Sequence, residues 1–120
     1  MEIIFIYNAN SGFFSGMMDS AHKLFSPDTY TCDLCSITHG LAGPKREWQE
    51  FIDGLEHPIK FYHKNDLPPA YENLPLPVIL KKSKENFEIL VSKDEMSEMK
   101  TVTLLTDMLN NKLKNRDKAL

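Results

Sequence analysis

Two cysteines separated by two residues, Cys32-Asp33-Leu34-Cys35, are the only thiols in the chain. His39 follows them closely and His22 precedes them, so one short region gathers the soft side chains. Three readings suit such a cluster. A close thiol pair can cycle between dithiol and disulfide, one cysteine attacking a partner disulfide and the other resolving the mixed species. With His39 and His22, Cys32 and Cys35 supply the donor set of a tetrahedral zinc site. Alternatively, both cysteines pack as small hydrophobes, because free cysteine is among the most buried residue types.

Local chemistry sets conditions on each reading. A redox thiol needs a depressed pKa, which a helix N-terminus or a neighbouring cation provides. Asp33, between the thiols, opposes the thiolate, whereas His39 or Lys23 would favour it. In a regular strand, Cys32 and Cys35 would point to opposite faces. The redox reading therefore expects a loop, bent into a turn, at residues 32–35, and a continuous strand would count against it. Zinc would enforce thiolates despite Asp33, but strong zinc signatures bring two ligand pairs, and no second pair is evident.

Outside this cluster, Asn8-Ala9-Asn10-Ser11-Gly12 follows an apolar run and precedes a helical pattern. Ligands favour the carboxyl ends of strands in α/β sheets, and helix N-terminal amides attract anions. Asn8, Asn10 and Ser11 are thus candidate ligand-binding residues, against the plainer reading of a helix cap. The segment lacks the GxxxxGK[ST] pattern, which excludes a P-loop. His22, near the end of the first helix, suits a dipole-favoured cap as well as a ligand. His57 and His63 are isolated, while Trp48 and Phe51 read as core. No Ser-His-Asp arrangement and no carboxylate pair suggests hydrolytic chemistry.

The elements that must position these residues follow from apolar patterning. Ile3–Tyr7 is a continuous apolar run, the signature of a strand buried on both faces. Phe14, Met17, Met18, Ala21, Leu24 and Phe25 fall at helical spacing, and Ser26-Pro27 ends that helix. Tyr30–Ile37 alternates weakly and reads as a second strand. Pro44 suits the first position of a helix with Trp48, Phe51, Ile52 and Leu55 on one face. Ile59–His63 is a short strand, and prolines 68, 69, 75 and 77 restrict the loop after it. Val78–Leu80 and Phe87–Val91 read as a hairpin joined through Lys81–Asn86. Ser92 or Asp94 starts a helical segment, and Leu104, Leu105, Met108, Leu109 and Leu113 form a last amphipathic helix.

The chain has 120 residues and a net charge of −3. That length suits one domain, assigned to residues 1–113, with 114–120 as a polar tail. The acidic balance argues against nucleic acid as a partner. No apolar stretch reaches the ~20 residues of a membrane span, and Met1-Glu2 does not resemble a signal peptide. The expected location is the cytoplasm, where a close cysteine pair is more often catalytic or metal-binding than a structural staple. Oligomeric state is not readable from these features.

The order strand, helix, strand, helix, strand, hairpin, helix resembles the thioredoxin-like fold. Its carriers are Ile3–Tyr7, the helix after it, and Leu76-Pro77-Val78 ahead of the hairpin. The resemblance implies an α/β sandwich with a mixed sheet, parallel early strands and a C-terminal hairpin plus helix. It also implies a cis-proline facing the active-site turn, matched here by Pro77. One departure stands out. Redox-active members carry their cysteines at the turn after the first strand, which here is Asn8-Ala9-Asn10-Ser11. The chain is also similar to small uncharacterised bacterial proteins sharing His22-Lys23, Ser26-Pro27, Thr29-Tyr30 and Cys32–Cys35. Together these imply a thiol protein with a protein thiol or disulfide partner, using Cys32, Cys35 and His39 without a cofactor. A zinc-binding or protein-interaction module is the alternative.

Overall fold

The computed structural model describes residues 1–8, 33–40, 43–84 and 86–118, with side chains as far as residue 113. The predicted helix over Phe14–Phe25 lies outside these residues, as do Asn10, Ser11, His22, Cys32 and the middle of the Gly40–Gly43 loop. The fold is mixed α/β, built on a four-stranded sheet. Its first strand, β1 (Glu2–Ile6), is central, as its apolar run requires. Ile3 and Phe5, with Tyr7 just beyond, enter one core, while Ile4 and Ile6 enter a second core on the opposite face.

Three further elements follow before the sheet resumes. Helix α1 (Asp33–Thr38) leads into a two-residue strand, β2 (His39–Gly40), which pairs with β3 (Gly43–Pro44). Helix α2 spans Arg46–Asp53. Strand β4 (Ile59–Tyr62) then runs parallel to β1, placing Phe61 beside Phe5. After a 3-10 turn at Pro69–Tyr71, β5 (Val78–Ser83) and β6 (Asn86–Val91) form an antiparallel hairpin. Because β5 is also antiparallel to β1, the strand order is β4-β1-β5-β6. The Leu76–Pro77 peptide directly before β5 is cis.

Helices α3 (Lys93–Ser97) and α4 (Val102–Lys118) complete the described chain. Ser92 caps α3 through a reciprocal capping box with Glu95, satisfying two N-terminal amides that would otherwise lack partners. Leu105, Leu109 and Leu113 bury the inner face of α4 against the first core, together with Leu34, Cys35, Trp48 and Met96. The second core takes Tyr71, Val78 and Leu80, with Leu67, Leu74 and Leu76 of the proline-rich loop packed on it. That loop is therefore a lid on one sheet face.

Three expectations need correction. The strand predicted across Tyr30–Ile37 is helical from Asp33 onward. Leu34, Ile37 and Thr38 recur at helical spacing and are all buried, and this stripe outweighs the weak alternation. Pro44 does not open a helix but lies in β3, and Lys45 is the N-cap of α2. The hairpin strands continue through most of the polar stretch assigned to their connection, with Lys81 opposite Glu88. Oppositely charged cross-strand pairs suit such a strand end.

Candidate functional site

Cys35 lies in α1 and is 1% exposed. Its sulfur is in a disulfide. The chain's only other cysteine is Cys32, immediately ahead of α1 in sequence and outside the described residues. Asp33 occupies the first turn, where a carboxylate complements the positive end of the helix dipole. The loop expected at 32–35 is not what forms: the backbone is helical from Asp33 onward, and Cys32 lies outside the described residues. In the disulfide form Cys35 offers no thiolate, so this form does not fit a zinc ligand set. Among the described residues, no group of three His, Cys, Asp or Glu side chains is placed to hold a metal ion.

The carboxyl end of α1 connects this helix to a polar network. Thr38 is fully buried, and its hydroxyl donates to the Leu34 carbonyl oxygen at 2.7 Å. Its Oγ1 also lies 2.7 Å from Nδ1 of His39. Tyr7 is hydrogen-bonded to the side chains of Thr38 and Trp48. Proton counting orients these bonds. Thr38 has one hydroxyl proton, and a carbonyl can only accept, so that proton goes to Leu34. Oγ1 must then accept from the Tyr7 hydroxyl and from His39 Nδ1–H. The Trp48 indole can only donate, so it donates to the Tyr7 oxygen. In neutral His39, Nε2 is consequently the basic nitrogen.

Electrostatics agree with a neutral His39. Burial lowers its pKa to about 4, and the nearby His63 and Lys45 charges push in the same direction. Burial also raises the Tyr7 phenol far above its usual range, despite the opposing effect of its bonds to Thr38 and Trp48. Tyr7 therefore acts as a neutral donor at every ordinary pH. Burial raises Asp66, but hydrogen bonds from His63 outweigh it and hold the carboxyl below its usual value. His63 Nδ1 stands 3.0 Å from Asp66 Oδ2.

These groups meet around a cleft of about 250 Å³, lined by Tyr7, His39, Trp48, Ile52, Phe61 and His63 among others. Tyr7 and His63 directly follow the parallel strands β1 and β4. Tyr7 N–H donates to the Tyr62 carbonyl at 2.9 Å, extending the parallel ladder to this point. The Tyr7 ring stacks with Phe61 and His63 at interplanar angles of 16° and 15°. His39 meets Tyr7 edge-on.

Of the residues assigned from sequence, the structure places Cys35 and His39 on α1 and the strand that follows it. Asn8 is half-buried after β1, and Pro77 is buried before β5. The positions of Cys32, His22, Asn10 and Ser11 lie outside the described residues. Sequence reading missed the association of Tyr7, Trp48, His63 and Asp66 with His39. A usable signal was the strand-end position of Tyr7 and His63, given parallel pairing of their strands. Comparison of the chain with protein-family models, characterised proteins and solved structures gives no match. No helix among the described residues is long and apolar enough to cross a membrane.

Proposed function

We propose that this chain is a small thiol protein of thioredoxin-like type, in which Cys32 and Cys35 carry out dithiol–disulfide exchange or redox sensing. The observation that carries the reading is the disulfide bond of Cys35, since Cys32 is the only other cysteine in the chain. The β4-β1-β5-β6 order, with its parallel pair, and the cis Leu76–Pro77 peptide ahead of the hairpin support the thioredoxin-like part.

Burial supports a division of roles. Cys35 is buried as a residue and so out of reach of a bulky partner disulfide, which favours Cys35 as the resolving thiol and Cys32 as the attacking one. Cys32 thiolate displaces one sulfur of the partner disulfide, and that sulfur leaves as a thiolate and takes a proton. Cys35, once deprotonated, attacks Cys32 in the mixed disulfide, and the second partner sulfur leaves. The protein dithiol loses two electrons and two protons, and the partner disulfide gains them. With a pKa lowered to about 4, His39 is neither a fixed cation nor a strong base towards a thiol at neutral pH, so any assistance it gives the thiol is a hydrogen bond rather than a proton transfer. In the cytoplasm the dithiol would be the resting form, and oxidation the signal.

Intact mass tests the reading. The reduced native protein is mixed with excess oxidised glutathione and should lose about 2 Da as the intramolecular disulfide closes. Cys35→Ser should stop as a stable glutathione adduct on Cys32, and Cys32→Ser should react far more slowly. Persistence of two free thiols in the wild type, under conditions where free cysteine is oxidised, would overturn the proposal.

A further inference from the structure

Strand β6 lies at one end of the sheet order, beyond β5, and is independent of the thiols. Ser83 pairs with Asn86 across a tight turn in which Lys84 takes a positive φ of 55°. Two-residue hairpins of this kind close on a pair that exchanges both backbone bonds, and bonded and non-bonded pairs then alternate along the ladder. Asn86 and Glu88 therefore bond inward to Ser83 and Lys81, while Phe87 and Ile89 aim their N–H and C=O groups outward. The same two residues keep large apolar side chains in solvent, Phe87 at 37% and Ile89 at 41% exposure. Both stand on the sheet face of the second core, Ile89 opposite Leu80 and Phe87 edge-on to Tyr71. This edge is bounded at both ends. The turn stops it before Asn86. Beyond Ile89 the register skips Leu90, since Val91 is opposite Ile79 and Ile89 opposite Leu80, and Lys112 takes the Leu90 carbonyl. Lysine and proline commonly blunt an open edge, and residues 86–89 contain neither.

The chemistry of this edge selects its occupant. An added strand gains main-chain hydrogen bonds for affinity and side-chain contacts at alternate positions for selectivity. A second copy fits poorly. A two-fold pairing through Phe87 and Ile89 sets Glu88 against its own copy, and like charges directly opposite destabilise. The window is also far smaller than the roughly 20–30 residues a side of a stable protein–protein interface. A basic residue in that place instead continues the alternation of charge begun by Lys81 and Glu88. We propose that residues 86–89 are a docking edge to which an extended segment of a partner protein adds as one antiparallel strand, with apolar side chains opposite Phe87 and Ile89 and a basic residue between them, opposite Glu88.

The probe is the peptide acetyl-Thr-Val-Lys-Val-Thr-amide, added to the whole ¹⁵N-labelled chain. It should shift the Phe87 and Ile89 amide cross-peaks saturably. In the antiparallel pairing both valine N–H groups face β6 and the lysine N–H faces away. N-methylation of the two valines should therefore weaken binding by about tenfold or more, the value of two lost hydrogen bonds, whereas N-methylation of the lysine should leave it. Glutamate in place of the lysine should weaken binding about 2- to 5-fold. Ile89→Pro removes an outward N–H without touching the β5 ladder, a substitution edge strands accept, and should abolish the shift at Phe87. Because that variant can fail to fold, the two methylated peptides are decisive by themselves. No saturable shift, equal losses from the two methylated peptides, or a glutamate peptide binding as tightly as the lysine one would overturn the assignment. So would the same shifts on concentrating the protein without peptide, the mark of a second copy on this edge.

Discussion

Thr38 and His39, adjacent in sequence, are joined side chain to side chain, with Oγ1 2.7 Å from Nδ1. Neighbouring residues on a strand point to opposite faces, so this contact exists only because α1 ends at Thr38 and β2 begins at His39. The junction ties the helix bearing Cys35 to the cleft, with Tyr7 attached through the Thr38 hydroxyl and Trp48 through Tyr7.

Thr38→Val tests that junction. Valine keeps the shape but removes the acceptor for two donors, Tyr7 and His39, at a fully buried position. A buried donor left without a partner costs about 1–3 kcal/mol. The expected result is a fall of that size in urea stability at pH 7. Thr38→Ser, which keeps the hydroxyl, should recover most of it. A loss of under about 0.5 kcal/mol would mean that the network contributes little.

The low His39 pKa gives stability a defined pH dependence. Below pH ~6.5 the unfolded chain protonates this histidine, but the folded protein resists until about pH 4. Between these values the unfolded state binds more protons, so stability falls as pH falls from 6.5 to 4 and this contribution then levels off. The loss is about 3 kcal/mol at most, and less in proportion to the solvent reaching the ring. Urea midpoints at pH 7 and pH 4.5 measure it. His39→Gln should flatten the difference, and an equal slope in the variant would assign the effect to other groups.

Much of the frame was legible because its signals are local. Ile3–Tyr7 reads as a doubly buried strand, Ser92 as a cap, and residues 78–91 as a hairpin, each within one window. Helix α1 was not legible because six residues give too short a period to outweigh the alternation around them. The cleft is harder still. Tyr7, His39, Trp48 and His63 come from four separate segments, and only the parallel register of Phe5 with Phe61 brings His63 beside Tyr7. His63 looked isolated because its partners are near in space and far in sequence. The thiol pair was conspicuous, yet its conformation depended on where a helix starts, which element boundaries encode poorly.

The two faces of α4 make a direct contrast. Leu105 is fully buried and Leu104 is 51% exposed, one residue apart. Leu105→Ala should cost about 2–5 kcal/mol through lost transfer energy and the cavity left behind. Leu104→Ala should stay within about 0.5 kcal/mol. Guanidinium melts of the two variants decide the orientation of the helix, and comparable losses would show that it is rotated from the face described.

Lys112 joins three elements that are otherwise separate in sequence. Its Nζ donates to the Leu90 carbonyl at 2.7 Å and to Glu95 Oε2 at 2.6 Å, linking α4 to β6 and α3. Glu95 in turn closes the Ser92 capping box. Desolvation raises the Glu95 pKa, but bonds from Lys112 and Ser92 outweigh it and lower the carboxyl overall. A depressed acid stabilises the fold above its unfolded pKa and loses that contribution as pH falls through the folded value. Ser92→Ala should cost about 1 kcal/mol as a lost cap, and Lys112→Met a similar amount, since the pair is partly solvated. Because both act on one carboxylate, their losses should not add. A double-mutant cycle should give a coupling of at least about 0.5 kcal/mol. Additive losses would mean that the cap and the ion pair stabilise α3 independently, with no communication through Glu95.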